Sequence, residues 1–178
     1  IFHALMVALG IGGALITDVF FFKFLKDYRI AKDESEVLRT FSQIMWAALT
    51  GIIVTGLLLF LSDVGYYLTS HVFMARAFVV LVIGINGGLL NLIVSPKIQE
   101  ITFGGEHTHR AGELSRLRKI AFSSGAVSIV SWVILFALGS ISELPYSAKE
   151  SVGIYMVTLV LAVLVSQAYA KLLSGKKN

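Results

Sequence analysis

Residues 41–61 read FSQIMWAALTGIIVTGLLLFL, and this segment decides the fold class of the 178-residue chain. It contains no Asp, Glu, Lys or Arg. Its length matches the roughly 20 residues that a helix needs to cross a hydrocarbon core about 30 Å thick. Similar apolar segments recur along the chain, so the sequence predicts five transmembrane helices. Their expected bounds are residues 1–24, 41–61, 74–94, 120–141 and 151–173.

The overall composition supports a membrane protein and excludes a soluble domain. Apolar residues make up 56% of the chain and charged residues 15%, against about 25% charged residues in soluble domains. The charged residues lie in short clusters between the apolar segments. We therefore expect an all-α polytopic bundle that forms a single domain. Cysteine is absent, which excludes disulfides, iron–sulfur clusters and thiolate chemistry.

Basic residues alternate between the two ends of the predicted bundle. The loops after the first and third spans carry five Lys and Arg residues each, and the C-terminal region carries three. The other two loops carry one each, Arg76 and Lys149. Because basic loops stay in the cytoplasm, the sequence predicts an external N-terminus and a cytoplasmic C-terminus. This distribution explains the net charge of +4, so we expect contact with a lipid bilayer and no nucleic-acid binding.

Small and polar residues predict which face of each span lies inside the bundle, because they allow close helix packing and hydrogen bonds between helices. At about 100° per residue, each span carries one such stripe. Helix packing alone would also account for the Ser, Thr and Gly positions. In chain order the stripes are His3–Val7–Gly10–Ala14–Asp18; Gln43–Trp46–Ala47–Thr50–Gly51–Val54; Arg76–Val80–Gly84–Gly87–Asn91; Ser124–Ser128–Ser131–Trp132; and Tyr155–Thr158–Ala162–Ser166–Tyr169.

Ionisable residues at membrane depth indicate functional sites, because a charge in the bilayer is costly. At the outer end, His3, Arg76 and Tyr155 are predicted to form one polar site. Each also has a structural interpretation: His3 can be an interfacial histidine without a ligand, and the Arg76 side chain can extend to the membrane surface.

At the inner end, Asp18, Asn91 and Gln43 are predicted to form a second cluster. Asp18 can instead anchor the helix by pairing with a loop base such as Arg29.

The outer site suggests a b-type haem. Bundles hold such haems through histidines on their helices. His3 would ligate the iron, and Arg76 would pair with a propionate. His71 lies at the right height for a second axial ligand, but it can serve only if residues 71–73 are not helical. Otherwise the iron would be five-coordinate, or Met6 or Met74 would be needed.

Two other functions remain open. In the first, Asp18 is the titrating carboxylate of a small proton-coupled transporter, with the inner amides as its neighbours. In the second, the chain is a non-catalytic anchor or scaffold subunit of a larger membrane complex. Both the haem and the scaffold hypotheses predict that the chain associates with other membrane subunits or with itself.

Several short motifs resemble those of a group of small uncharacterised bacterial integral membrane proteins. They are His3 followed by Gly12-Gly13, the run Thr17-Asp-Val-Phe-Phe-Phe, Ser42-Gln-Ile-Met-Trp46, and Asn86-Gly87. The first helix is also distantly similar to copper-resistance D-like and cytochrome b561-like membrane proteins, in which helix histidines bind haem. Unlike the b561-like proteins, this chain has no paired histidines within its spans.

The group of small membrane proteins carries no known activity, whereas the distant resemblance implies haem binding by a helix histidine such as His3. We therefore expect an integral membrane subunit of an electron-transfer or respiratory-type assembly in the bacterial cytoplasmic membrane, with haem b near the outer face.

Overall fold

The computed structural model describes residues 1–24, 32–94 and 113–175, with side chains described for residues 1–20, 36–93 and 119–172. This part of the chain forms six α-helices and no strand. A π-helical turn, Leu90–Val94, continues the fourth helix. The helices are α1 (Phe2–Phe24), α2 (Lys32–Ser62), α3 (Val64–Thr69), α4 (His71–Leu89), α5 (Glu113–Gly139) and α6 (Ala148–Gly175).

All helices except α3 are long and apolar enough to cross a membrane, with spans of 19 to 27 residues. Large apolar side chains cover the outside of these helices, including Leu57 at 56%, Leu164 at 60% and Leu172 at 70% exposure. Such a surface is far more apolar than that of a soluble monomer. The predicted all-α fold of a multi-pass membrane protein is confirmed, while its orientation stays a prediction.

Four helices, α2, α4, α5 and α6, begin before their predicted spans, and one short helix was not predicted. α2 begins at Lys32, so the charged segment before the second span continues directly into it as one helix. The predicted connection between the second and third spans contains α3. The Asp63 side chain caps α3 by accepting the Tyr66 N–H at 3.0 Å. Ser70 then ends α3 and caps α4 by accepting the Phe73 N–H at 3.3 Å.

α5 is the central helix of the bundle and packs against α1, α4 and α6. Buried residues make up 44% of its membrane span, whereas they make up 11–22% of the other spans. Small residues explain this position, since Ser124, Gly125, Ser128 and Ser131 let three neighbouring helices approach its backbone. Trp132, 1% exposed, is the largest fully buried side chain in the described part of the chain.

α1 crosses α2 and α5 at glycines. A Cβ atom on Gly51 of α2 would come within 2.7 Å of Met6 Cγ, closer than real contacts allow. A Cβ atom on Gly13 would lie 3.1 Å from Met45 Cγ. These two close contacts hold α1 against α2.

The predicted inward stripes of α1 and α5 are confirmed. Gly10, Ala14 and Asp18 are buried, and His3 and Val7 are partly buried. On α5 the whole predicted stripe is buried: Ser124, Ser128, Ser131 and Trp132. On α4 and α6 the agreement is partial. The α4 stripe is only half-buried, and on α6 Tyr155 is buried while Tyr169 is 51% exposed.

The predicted inward stripe of α2 is wrong at five of its six positions, and only Gly51 is half-buried, against Met6 of α1. Its members Gln43, Ala47 and Thr50 are exposed, as are Trp46 at 37% and Val54 at 50%. The helix buries a different face, which carries Ala48, Leu49 and Ile52. Apolar side chains suit both lipid and protein surroundings, so the fit against α1 decides which face of α2 turns inward.

Candidate functional site

His3 is hydrogen-bonded to a threonine on the neighbouring helix. Its Nδ1 lies 2.7 Å from the Oγ1 of Thr55. The Thr55 hydroxyl also donates to backbone carbonyls of α2, at 2.5 Å to Gly51 O and 3.3 Å to Ile52 O. Since its one proton is used there, we infer that Thr55 accepts a hydrogen bond from His3 and that the imidazole hydrogen is on Nδ1. The lone pair of His3 Nε2 is left available for a ligand or a metal ion.

Arg76 binds the C-terminal end of the central helix. Its Nε donates to Leu138 O at 2.9 Å, and its Nη2 donates to Leu138 O and, at 2.7 Å, to Ile141 O. The last carbonyls of a helix lack partners within it and carry partial negative charge, so a guanidinium is well suited to them. Three of the five guanidinium N–H groups are used in this way, which leaves the two on Nη1.

The described hydrogen bonds do not join His3 to Arg76. His3 is bonded to α2, whereas Arg76 is bonded to the end of α5. Their common role in one site therefore stays a prediction, and the structure assigns Arg76 an additional task in capping a helix.

His71 lies on a different face from Arg76. α4 begins at His71, so residues 71–73 are helical. A separation of five residues turns the side chain by about 140° on the helix, and His71 is exposed. The condition under which His71 could be a second axial ligand is not met.

Tyr155 is buried in the core of the bundle. It is 3% exposed, and its Oη lies 2.7 Å from Ser131 Oγ. The Ser131 hydroxyl donates a hydrogen bond to Val127 O at 2.5 Å, so we infer that Tyr155 is the donor in the hydrogen bond between Tyr155 and Ser131. This bond links α6 to the central α5.

At the opposite end of the bundle, the three predicted polar residues occupy different places. Asp18 is 8% exposed and faces α5, where a Cβ atom on Gly125 would lie 3.6 Å from its Oδ1. Asn91 accepts a hydrogen bond from Ser42 of α2 at 2.9 Å. Gln43 is exposed. Among the described side chains, no hydrogen bond joins these three residues.

Two amides that sequence reasoning missed connect α5 to its neighbours. Asn86 of α4 donates to Ser124 O at 3.0 Å. Gln167 of α6 donates to Lys119 O at 2.8 Å and to Ser123 Oγ at 2.6 Å. Both are amides inside apolar spans, which is a signal for helix-to-helix hydrogen bonds.

Sequence reasoning also missed Thr55 as the hydrogen-bond partner of His3, and it did not consider the polar Nε1 of Trp132. Thr55 stands four residues after Gly51, a spacing at which a threonine hydroxyl reaches the helix backbone. The Trp132 Nε1 is buried and has no hydrogen-bond partner within the described residues.

The described residues contain no cluster of three or more metal ligands. In residues 1–24, 32–94 and 113–175, no group of three or more His, Cys, Asp or Glu side chains could hold a metal ion. A haem differs from such a site because its porphyrin supplies four ligands and the protein needs to add only one or two.

Comparisons with protein families, curated proteins and solved structures find no match to this chain.

Proposed function

We propose that this chain is an integral membrane subunit of an electron-transfer, respiratory-type assembly in a bacterial cytoplasmic membrane. In this proposal it binds haem b at the predicted outer end, with His3 as an axial ligand. The observation that carries the proposal is the hydrogen bond from His3 Nδ1 to Thr55, because it leaves Nε2 as the metal-binding nitrogen.

The local chemistry suits a haem ligand. A histidine that binds a metal usually donates its other ring N–H to an oxygen, which fixes both the tautomer and the ring orientation. Thr55 supplies that oxygen, and Gly56 lies beside the ring, where a Cβ atom would be in van der Waals contact with His3 Cε1 at 3.9 Å. The free Nη1 group of Arg76 can pair with a propionate. When bound, the haem supplies reversible one-electron transfer.

Among the described residues, no second histidine accompanies His3 as a haem ligand. His71 is exposed on another face of α4 from Arg76. We infer that the haem would be either five-coordinate or would receive a second ligand from Met6, Met74 or a partner subunit. An absorbance spectrum distinguishes these cases, because high-spin and low-spin haems differ in their visible bands.

The test is the absorbance spectrum of protein purified from its native membrane. The wild type should show a Soret band, and His3→Ala should abolish or shift it. His71→Ala is the matched control and should keep the band. Thr55→Val should keep the band but change the reduction potential, since the Nδ1 proton loses its acceptor. A wild type without a Soret band, or an unchanged spectrum in His3→Ala, overturns the haem proposal.

A second candidate function, a non-catalytic anchor or scaffold, is favoured by the exposed face of α2. Gln43 and Thr50 lie on the outside of a membrane span, where lipid offers no hydrogen bonds to them. A second protein covering this face would supply partners. Native mass spectrometry of the gently solubilised membrane complex should detect another subunit or a second copy, and Gln43→Leu should weaken the association. Detection of the monomer alone contradicts both the anchor function and the assembly.

A further inference from the structure

The interface between α1 and α5 contains a buried polar atom that has no hydrogen-bond partner in the described part of the chain. This atom is the Oδ2 of Asp18 on α1, a residue that is 8% exposed. Buried polar groups are nearly always hydrogen-bonded, so an unpartnered carboxylate oxygen in a helix interface indicates a specific role for Asp18.

Glycines bring α1 and α5 close together around Asp18. Gly125 of α5 lies against the Asp18 carboxyl, and Gly10 of α1 lies against the six-membered ring of Trp132. Gly125 and Trp132 are seven residues apart, about 10 Å along the helix axis. The Asp18 carboxyl is therefore enclosed where two helices pack closely against each other.

No charged side chain among the described residues faces Asp18 from the helices that pack against α1. α5 places Gly125 against the carboxyl group, and Met45 of α2 lies beside the neighbouring Thr17. The described basic residues towards this end of the bundle include Arg39 on α2 and Lys119 on α5, and both are exposed. Glu36 of α2 is also exposed.

An ionised carboxylate without a cation is far less stable at membrane depth than a neutral carboxylic acid. We propose that Asp18 is a proton-binding site in the α1–α5 interface, with its carboxyl group protonated in the folded protein at neutral pH. This inference is independent of the proposed haem site, because His3 lies at the other end of α1.

Infrared spectroscopy of the full-length protein in lipid nanodiscs tests the proposal directly. At neutral pH the wild type should show the C=O stretching band of a protonated carboxyl group. The band should shift on transfer to D₂O, because the proton is exchangeable. Asp18→Asn should remove it, and Asp18→Glu should move it. Glu36→Gln is the matched control: it removes an exposed acid from the neighbouring helix and should leave the band unchanged.

Thermal unfolding provides an independent readout. Asn has the same shape as a neutral Asp, so Asp18→Asn should leave the unfolding temperature at neutral pH within the range of the Glu36→Gln control. A large drop would mean that Asp18 is ionised and paired with a base, and would overturn the proposal. Absence of the band in the wild type, or its persistence in Asp18→Asn, overturns it as well. A missing Soret band leaves it intact, so the two proposals fail separately.

Discussion

Gly10 of α1 lies directly against the indole ring of Trp132 of α5, so closely that a Cβ atom on Gly10 would overlap the ring atoms Cζ3 and Cη2. This contact joins the backbone of the first helix to the largest fully buried side chain among the described residues. It sets the distance between α1 and the central helix. His3 and Asp18 lie on either side of it along α1, so both candidate sites depend on this crossing.

Gly10→Ala should destabilise the folded bundle. The added methyl group has no space, and forcing extra carbon atoms into a packed core costs about 1–3 kcal/mol. We expect a lower thermal unfolding temperature in detergent or nanodiscs. Gly12→Ala is the matched control, since nothing lies within 4 Å of a Cβ atom at that position. Equal unfolding temperatures for the two variants would contradict the close crossing.

Tyr155 and Ser131 should behave as one coupled pair. Tyr155→Phe leaves Ser131 Oγ without its donor, and Ser131→Ala leaves the buried tyrosine hydroxyl unsatisfied, at a cost of about 1–3 kcal/mol each. The double variant should lose less stability than the sum of the two single variants. A double-mutant cycle based on reversible unfolding measures this coupling. Strict additivity would show that the hydrogen bond contributes nothing.

Arg76→Leu should loosen the C-terminal end of α5. It removes the hydrogen bonds to Leu138 O and Ile141 O, and bonds to charged groups contribute about 1.5–3 kcal/mol. We expect faster hydrogen exchange at Ser140 and Ile141, whose amides bond to the last turn of α5. Lys149→Leu removes an exposed charge from the N-terminal end of α6 and serves as the control. Unchanged hydrogen exchange at these amides in Arg76→Leu would show that the Arg76 hydrogen bonds do not stabilise the C-terminal end of α5.

The orientation of the chain can be tested with reporter fusions. A reporter at the C-terminus should be active in the cytoplasm, and one inserted at Asp63, before α3, should be active outside. Both expectations follow from the uneven distribution of Lys and Arg among the loops. A cytoplasmic signal from the Asp63 insertion would reverse the orientation and place His3 at the inner face.

Sequence reasoning predicted the buried stripes of α1 and α5 because each helix has a single face of small and polar residues. Asp18 and Trp132 were found in this way. The same reasoning failed for α2, where Gln43 and Thr50 are exposed. It also missed the partners of His3 and Arg76, since Thr55 and Leu138 are 52 and 62 residues away in the chain. Contacts at such separations depend on how the helices cross.

The sequence by itself determined the number of membrane-spanning helices and the all-α fold. A span must satisfy its backbone hydrogen bonds internally and must be long and apolar enough for the bilayer, and both requirements are local in the chain. Only the tertiary structure decided that α5 is central, that α2 turns Ala48 and Leu49 inward, and that Arg76 caps α5. Lipid and protein interiors are equally apolar, so hydrophobicity does not choose between helix faces. Steric fit at contacts such as Gly10 against Trp132 makes that choice.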